Sequence, residues 1–250
     1  MSPSELTAQP KQDSNNHGLP DGVVVAVVPA RGGSKGIPAK NLRILGGQTL
    51  LQRSIECAQS VDCVDEVVVS TDSADIASHA ESCGAKVVRR PPELATDDSL
   101  VKDAIRHARD QLVVSGVKLR AMVLLEPTSP LRQPDDVARC VTLLIEKELD
   151  SVATFTTASL NPQRAWRLTD GTPEPFIEGA VPWMRRQDLP SAYELNGAVY
   201  AFRPDLLDSD GPGLLAGRMA GVVMPKERSI DIDDEFDLVV AQLLLERDTL

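Results

Sequence analysis

Short apolar runs alternate along the chain with longer stretches in which apolar residues recur at helical spacing. The first run, residues 23–28 (VVVAVV), is β-branched and leads into a proline and glycines, a pattern typical of a strand covered on both faces. Further strands are predicted at residues 66–70, 86–88, 121–125, 151–156, 197–202 and 222–224. Runs this short and this apolar favour a sheet buried between layers of helices.

The periodic segments predict helices between these strands, at residues 49–60, 75–83, 100–114, 135–147 and 235–247. Thr96, Asp97 and Asp98 are candidate caps for the third helix. The alternation of strand and helix implies right-handed crossovers and therefore an α/β fold with a doubly wound, mostly parallel sheet.

Two segments depart from this rhythm. Residues 1–21 are polar and are predicted to be a flexible tail, because they bury too little apolar area to offset the entropy of ordering. Residues 160–194, here called the excursion, contain five prolines and both tryptophans and are predicted to leave the sheet as irregular structure. We therefore expect the tail to be followed by one domain, residues 22–250, which includes the excursion.

The amino-acid composition disfavours some classes of function and leaves others open. A net charge of -11 disfavours a nucleic-acid partner, since phosphate backbones are bound by concentrated Lys and Arg. It does not disfavour a small anion, which a few basic residues in one cleft can hold. Four cysteines without zinc spacing, and no apolar run near 18 residues, predict a cytoplasmic protein with reduced thiols and no membrane partner.

The segment after the first strand, residues 29–41 (PARGGSKGIPAKN), carries the strongest chemical signal. It lies at the carboxyl end of a parallel strand, where α/β proteins usually bind ligands. Its glycines let backbone amides approach a phosphate, and Arg31, Lys35 and Lys40 add three cations. The alternative is a solvated basic turn. A Walker A loop is excluded because its pattern does not occur.

This segment resembles the signature loop of the acylneuraminate cytidylyltransferases (CMP-sialic acid synthetases). Further matches follow in order along residues 23–247: STD at 70–72, RPPELA at 90–95, LLEPTSPLR at 124–132, NGAVY at 196–200 and SIDID at 229–233. The resemblance implies a Rossmann-like fold of the nucleotide-diphospho-sugar transferase type. It also implies that CTP and an acidic sugar react to give a CMP-sugar and pyrophosphate.

By the same resemblance, Arg31, Lys35 and Lys40 meet the CTP phosphates, and Asn41, Arg90 and a hydroxyl near Ser99 surround the cytidine. The nucleotide-binding set expected from it is Arg31, Gly32, Gly33, Ser34, Lys35, Lys40, Asn41, Arg90 and Ser99. Arginine offers a planar fork to phosphate oxygens, and lysine offers a compact charge to the leaving pyrophosphate. For Asn41 and Arg90 the alternative is a loop cap or a surface ion pair.

Asp231 and Asp233 are candidate ligands of Mg2+. If the segment is extended, Ile232 points away and both carboxylates face one side, offering the hard oxygen ligands that Mg2+ shares with substrate phosphates. With Arg31, Lys35 and Lys40 they form the expected catalytic set. Alternatively these acids, like the neighbouring Asp234, Glu235 and Asp237, are favourable charges at the start of the last helix. Asp72 is a weaker candidate, since it is expected to cap the second helix.

Four residues are assigned to the acid substrate: Glu126, Arg164, Arg186 and Asn196. The resemblance implies that the excursion forms a homodimer and reaches the neighbouring active site, and that Arg186 binds the sugar carboxylate. Otherwise both arginines are solvated. Trp166 and Trp183 are expected to pack at the subunit contact.

Glu126 departs from the family pattern, because sialic acid enzymes usually read LLQPTSPLR and place a glutamine there. A carboxylate accepts hydrogen bonds, repels anions and can receive an amine or extra hydroxyls. We therefore expect the acid to differ from N-acetylneuraminate near Glu126. The alternative is that Glu126 pairs with a nearby arginine.

Three other functions stay open at this point. One is CMP transfer to a different acid, such as a deoxyoctulosonate or a phosphonate. The second is a glycosyltransferase that uses the acidic SIDID segment. The third is a non-catalytic nucleotide-binding dimer. The histidines, at positions 17, 79 and 107, lie in no recognisable nucleophile or base arrangement.

Overall fold

The computed structural model describes residues 19–33 and 36–247 of the chain. Most of the predicted tail, and residues Ser34 and Lys35, therefore lie outside the described residues. The strands are β1 Val23–Pro29, β2 Ile44–Leu45, β3 Gln48–Thr49, β4 Glu66–Thr71, β5 Lys86–Arg89, β6 Leu119–Leu124, β7 Ser151–Thr157, β8 Trp166–Thr169, β9 Thr172–Pro175, β10 Tyr193–Phe202 and β11 Met219–Val223. The helices are α1 Leu50–Gln59, α2 Ala74–Ser82, α3 Val101–Val114, α4 Pro134–Glu146 and α5 Glu235–Arg247.

Within the described ranges, one seven-stranded sheet has the order β11-β7-β10-β6-β1-β4-β5. Its neighbours pair in parallel except that β10 runs antiparallel to both β6 and β7. Because β10 is reversed, the excursion leaves and re-enters the sheet at one edge, where Tyr193 pairs with Thr157. The predicted α/β fold with a mostly parallel sheet is confirmed.

Helices cover both faces of the sheet. Alternate residues of β1 contribute to two cores, with Val24, Ala26 and Val28 facing α1, α2 and α4. Val25 and Val27 face α3 on the opposite side. This double coverage explains why β1 reads as a continuous apolar run, since a strand buried on both faces has no solvent side to make polar.

Local side-chain chemistry fixes where the helices begin. Thr49 and Ser73 cap α1 and α2 by accepting the backbone N–H groups of Gln52 and Ile76. The predicted caps of α3 were wrong, because Leu100 occupies the cap position and makes no side-chain cap bond. Its predicted cap Asp97 instead forms an ion pair with Arg31.

A third, smaller core lies beside the carboxyl edge of the sheet. Ile37, Leu50, Ile232 and Leu238 are buried in it, and it joins the loop after β1 to the start of α5. This core brings together two segments that are almost 200 residues apart in sequence. It therefore sets the distance between the basic loop and the late aspartates.

The excursion is irregular, as predicted, and contributes little to the main core. Every residue of its hairpin, β8 and β9, is exposed. Trp166 and Trp183 meet edge to face with centroids 5.8 Å apart, and Trp183 is still 83% exposed. Across the part of the chain that the structure describes, no helix is both long and apolar enough to cross a membrane.

Candidate active site

The carboxyl ends of β1, β5 and β6 open into one cavity of about 320 Å³. Late residues 231–233 close its side, because Ile232 donates its N–H to the carbonyl of Thr128 at 2.8 Å. The polar residues lining the cavity are Arg31, Gly36, Lys40, Asn41, Arg90, Glu126, Thr128 and Asp233. The structure thus brings six of the sequence-predicted site residues, Arg31, Lys40, Asn41, Arg90, Glu126 and Asp233, to one place.

The loop after β1 is held open by contacts at its edges. The guanidinium of Arg31 donates to the carbonyl of Thr96 at 2.9 Å and pairs with Asp97 at 2.9 Å. The N–H of Gly32 donates to Oδ1 of Asp72 at 2.9 Å. Asp72 therefore holds the loop, and the prediction that it caps α2 is wrong, because Ser73 does so.

Glycine is required where this loop meets the late segment. A Cβ on Gly36 would lie 2.2 Å from the carbonyl oxygen of Asp233, so any larger residue would push the two segments apart. Gly33 has no other atom within 4 Å of its virtual Cβ and faces open space. Backbone at Gly33 is therefore free to approach a ligand. Ser34 and Lys35 lie outside the described residues.

Lys40 links the two segments by charge. Its Nζ donates to the carbonyl of Ile232 at 2.8 Å and lies 3.4 Å from Oδ1 of Asp233. Its ammonium therefore occupies the boundary between the phosphate-facing loop and the acidic segment. A cation there neutralises negative charge on either side.

Asp231 and Asp233 alternate with the fully buried Ile232, as the extended pattern predicts. Burial raises the pKa of the Asp231 carboxyl and Asp233 raises it further, while a hydrogen bond from the side chain of Thr128 opposes the rise. The repulsion between two close carboxylates is what a divalent cation would relieve.

The donor chemistry at this pair fits Mg2+. Carboxylate oxygens are hard ligands, and Mg2+ commonly takes one or two of them together with water and substrate phosphates. No cluster of three or more His, Cys, Asp or Glu residues is arranged as a metal site in residues 19–33 and 36–247. Asp233 lines the cavity and Asp231 lies two residues before it, so the pair matches an ion that shares its shell with the nucleotide.

Of the other acids of this segment, Asp234 and Asp237 cap the start of α5, and Glu235 forms an ion pair beside it. Asp237 accepts the N–H groups of Asp233 and Asp234 at 2.9 and 3.1 Å, and Glu235 forms a bidentate pair with Arg43. This is the alternative considered for the neighbouring acids, and the geometry supports it for them.

Arg90, Asn41 and Ser99 surround the part of the cavity nearest β5. Arg90 is 8% exposed and donates to the carbonyl of Ser70 at 2.8 Å, so it is fixed by the end of β4. Burial lowers its pKa, whereas Asp72 raises it. Asn41 donates to the carbonyl of Arg31 at 3.0 Å, and its amide therefore supports the loop while lining the cavity. Ser99 lines an adjoining recess of about 210 Å³ with Arg31 and Arg90.

Glu126 lies between this cavity and a second, largely apolar one of about 410 Å³. The second cavity is lined by Leu124, Leu195, Tyr200 and Leu214 among others. Burial raises the pKa of Glu126 to about 7, with a further contribution from Asp231, and Arg132 and Lys40 oppose it. Glu126 is thus the ionisable side chain shared by the two cavities within the described part of the chain.

The alternative that Glu126 pairs with an arginine is not what the described residues show. Arg132 donates to the backbone carbonyl of Glu126 at 2.7 Å, not to its carboxylate. Nη1 of Arg132 donates to the carbonyl of Ala198 and Nη2 also donates to the hydroxyl of Ser54, while its buried Nε has no hydrogen-bond partner among the described residues. Among residues 19–33 and 36–247 no ion pair involves the Glu126 carboxylate.

The other three residues predicted to bind the acid substrate lie apart from the cavity. Arg164 and Arg186 line a separate hollow of about 250 Å³ built by the excursion itself. Asn196 is buried, accepts from Thr154 at 2.7 Å and donates to Ser229 at 3.0 Å. Its amide therefore fixes the late segment, and the geometry does not bring it to the cavity.

Sequence reasoning missed two supporting residues. Arg132 is 5% exposed and ties the loop after β6 to β10 and α1. Gly197 takes a φ of 70° at an irregularity of β10, and its virtual Cβ would lie 3.6 Å from Oδ2 of Asp231. Both residues belong to the motifs quoted above. Nothing in those motifs distinguishes a residue that supports a neighbouring segment from one that contacts a ligand.

Comparison with known proteins agrees with this geometry. The sequence profile of the family described as cytidylyltransferase matches residues 25–209. The chain belongs to the cytidylyltransferase family. An N-acylneuraminate cytidylyltransferase of Streptococcus agalactiae is 30% identical over 89% of this chain and 54% of its own length. The CMP-N,N'-diacetyllegionaminic acid synthase of Legionella pneumophila is 32% identical over 89% of this chain and 96% of its own.

The fold also matches a solved relative. The structure of CMP:2-keto-3-deoxy-manno-octonic acid synthetase complexed with CTP superposes with a TM-score of 0.66 at 20% identity, over 90% of this chain and 99% of that chain. At that identity the likeness shows the fold alone. This cytidylyltransferase chain spans about half the length of the N-acylneuraminate relative from Streptococcus agalactiae and nearly the full length of the Legionella one.

Proposed function

We propose that this chain transfers CMP from CTP to an acidic sugar of the nonulosonic acid class and releases pyrophosphate. One observation carries the proposal: Arg31, Lys40 and Arg90 converge with Asp233 on a single cavity at the carboxyl edge of the sheet. The matched relatives that act on N-acylneuraminate and N,N'-diacetyllegionaminic acid support the choice of substrate class. The two names also give the first two acids to test.

The proposed reaction is an in-line displacement at the α-phosphorus of CTP. A hydroxyl oxygen of the acid forms the new P–O bond, the bond to pyrophosphate breaks, and the hydroxyl proton leaves to water or a carboxylate. Arg31 and Lys40 face the phosphates and stabilise the charge that develops on the leaving group. Gly33 leaves its backbone open to the same phosphates. Lys35 is assigned there with them.

Asp231 and Asp233 are the residues we assign to Mg2+. The ion would supply Lewis-acid neutralisation of phosphate charge when bound. Until then, Lys40 offsets part of the Asp233 charge at 3.4 Å. Arg90, Asn41 and Ser99 form the wall that we assign to the cytidine.

The acid is assigned to the apolar cavity next to Glu126. That cavity is continuous in position with the nucleotide cavity, because Glu126 and Val101 line both. An acid bound there presents its hydroxyl toward the α-phosphate. Glu126 faces it with an unpaired carboxyl, which supports an acid other than plain N-acetylneuraminate at that face.

Among the described residues, the cation that lines this cavity, Lys102, already donates its ammonium to the carbonyls of Ser209 and Gly211 and to the Ser209 hydroxyl, so the carboxylate of the acid needs another cation. We propose that the chain forms a homodimer in which Arg164 and Arg186 of one subunit reach the acid bound by its partner. The exposed apolar side chains of the excursion, including Leu168, Phe176 and Trp183, support it as the subunit contact. The reaction is proposed to occur in the cytoplasm, and the four free cysteines accord with a reducing compartment.

The test is pyrophosphate release by purified protein with CTP and a panel of acids. The panel contains N-acetylneuraminate, N,N'-diacetyllegionaminate, 2-keto-3-deoxy-octonate and a simple phosphonate. Release with a nonulosonic acid and CTP, and not with ATP, GTP or UTP, is the expected result. No release with any acid contradicts the proposal and favours a non-catalytic nucleotide-binding dimer, and equal use of N-acetylneuraminate contradicts the assignment at Glu126.

A further inference from the structure

The segment that carries the two proposed metal ligands has almost no regular structure of its own. Between the end of β11 at Val223 and the start of α5 at Glu235 it contains one 3-10 turn, Lys226–Arg228, and otherwise runs free of helix and strand. The positions of Asp231 and Asp233 therefore depend on individual contacts and not on a ladder of backbone bonds. A shift of the segment would move both carboxylates.

Besides the bond from Lys40 to the carbonyl of Ile232 and the packing of Ile232 in the third core, three anchors hold it. The N–H of Ile232 donates to Thr128, and the hydroxyl of Ser229 accepts from Asn196. The third anchor is an ion pair in which Nη1 of Arg228 lies 2.6 Å from Oδ2 of Asp136. It fixes the residue immediately before Ser229, and thus the point from which the acidic segment begins.

The Asp136 carboxylate is fully buried in the first turn of α4. Its Oδ2 accepts the N–H of Gln133 at 2.9 Å as well as the guanidinium of Arg228. Its Oδ1 is buried without a hydrogen-bond partner in the described chain. Arg228 is therefore the charge partner in direct contact with this carboxylate.

Such a pair is an expensive way to stabilise a fold. Removing two charges from water usually costs as much as their attraction returns, and apolar residues of similar volume serve equally well for stability. A capping carboxylate at a helix start also works while exposed. The burial of Asp136 against Arg228 is better explained by a role in positioning. A hydrogen-bonded ion pair restricts both the distance and the direction between the guanidinium and the carboxylate.

We propose that the Asp136–Arg228 ion pair is a positioning device that holds Asp231 and Asp233 where they share a metal ion with the nucleotide. The inference rests on the proposed function, because that function assigns the metal to these two carboxylates. Asp136 and Arg228 are positioning residues and touch neither substrate. Residues that orient metal ligands typically change metal affinity by about 10- to 100-fold when they are replaced.

The test uses nucleotide binding and not turnover. The CTP dissociation constant is measured by calorimetry with Mn2+ and again with EDTA, in the absence of any acid. The constant in EDTA divided by the constant with Mn2+ is the ratio that reports the metal contribution. For Asp136→Asn we expect this ratio to fall about tenfold, while the constant in EDTA stays within twofold. A matched control is Asp150→Asn, which loosens contacts with Arg203 and Arg218 at the start of β7, at the opposite edge of the sheet.

A double variant separates positioning from stability. Asp136→Asn leaves a guanidinium without its charge partner, and Asp136→Asn/Arg228→Met removes it, so the melting temperature recovers in the double variant. We expect the metal ratio to stay low there. If the ratio returns to the wild-type value along with the melting temperature, the pair serves only to stabilise the fold and the inference is wrong.

The remaining outcomes are also decisive. An unchanged ratio in Asp136→Asn overturns the inference while leaving the proposed function intact. A wild-type ratio of one means that metal does not support CTP binding, and then the metal assignment fails together with the inference.

Discussion

Two groups of arginines and lysines differ in how the fold presents them. Arg31, Lys40 and Arg90 come from the ends of strands in the sheet and meet in one cavity. Arg164 and Arg186 come from the excursion and meet in a separate hollow. The first group is gathered by one chain, whereas the second lies in a hollow apart from the site that it is proposed to serve.

The difference follows from how each group is supported. Parallel strands must end at the same edge, so their following loops converge whatever the loops contain. The excursion has no such constraint, because it is a long connection between the antiparallel strands β7 and β10 whose hairpin is wholly exposed. The sheet therefore does not position the side chains of the excursion. Their positions depend on what packs against its exposed apolar surface. The proposed homodimer would complete such a site by assembly, and the following experiments test that division.

The largest effect is expected for Lys40→Met. Removing this ammonium leaves the pyrophosphate charge and Asp233 without their shared cation, and we expect kcat to fall by about 10²–10³. Turnover by pyrophosphate release is the measurement. Lys86→Met is the control, because Lys86 pairs with Glu66 on the exposed edge of the sheet, and a similar loss there would contradict a local role for Lys40.

A smaller effect, confined to the acid, is expected for Arg186→Ala. Loss of a charge-assisted bond to a carboxylate lowers kcat/KM for the acid by about 10- to 100-fold, while the CTP dissociation constant stays unchanged. Arg185→Ala is the matched control, since its guanidinium already pairs with Asp188. An equal weakening of CTP binding and of kcat/KM for the acid would mean that Arg186 does not act on the acid alone.

Mixing these two impaired variants tests whether the excursion acts on its partner. A dimer of one Lys40→Met and one Arg186→Ala subunit contains one fully wild-type site if Arg186 reaches across the interface. After random reassociation we expect about one quarter of wild-type turnover. Activity no greater than the sum of the separate variants would mean that Arg186 serves its own chain, or that no dimer forms.

The smallest effect is expected for Glu126, and it is an effect on the free energy of unfolding. The pKa of its carboxyl is raised from 4.5 to about 7 in the folded chain, so the folded state holds a proton that the unfolded state releases. The free energy of unfolding therefore falls as pH rises from 4.5 to 7, and the loss is complete above pH 7. Glu126→Gln removes this loss.

We expect Glu126→Gln to stabilise the metal-free and nucleotide-free protein by about 1–3 kcal/mol more at pH 8 than at pH 4.5. Urea unfolding at the two pH values is the measurement. Glu178→Gln on the excursion is the control, because that carboxylate is exposed. A pH-independent difference for Glu126→Gln would mean that its carboxyl is ionised without cost.

Much of the fold followed from local pattern. The apolar runs located all seven strands of the main sheet, and the signal was clearest for central strands such as β1, because a strand buried on both faces must be apolar throughout. The caps of α3 were misplaced, since Asp97 was drawn into an ion pair with Arg31 that is distant in sequence. The reversal of β10 was not predicted either, because direction depends on where a connection re-enters the sheet.

The candidate site divides in the same way. The basic glycine loop and the alternating aspartates were identified from residue type and spacing, which are local properties. The supporting roles of Asp72, Asn196 and Arg228 were not, because a polar side chain has the same letter whether it contacts a ligand or holds a loop.

The sequence by itself determined that the sheet is covered on both faces, which chemical motif follows which strand along the chain, and which basic residues are available to bind a phosphate. Only the tertiary structure decided which of those charges share a cavity, that Glu126 is left unpaired within the described chain, and that Arg228 is bound to a buried carboxylate. The physical reason is that periodicity encodes the burial of each residue. The meeting of residues almost 200 positions apart depends on how completed elements pack.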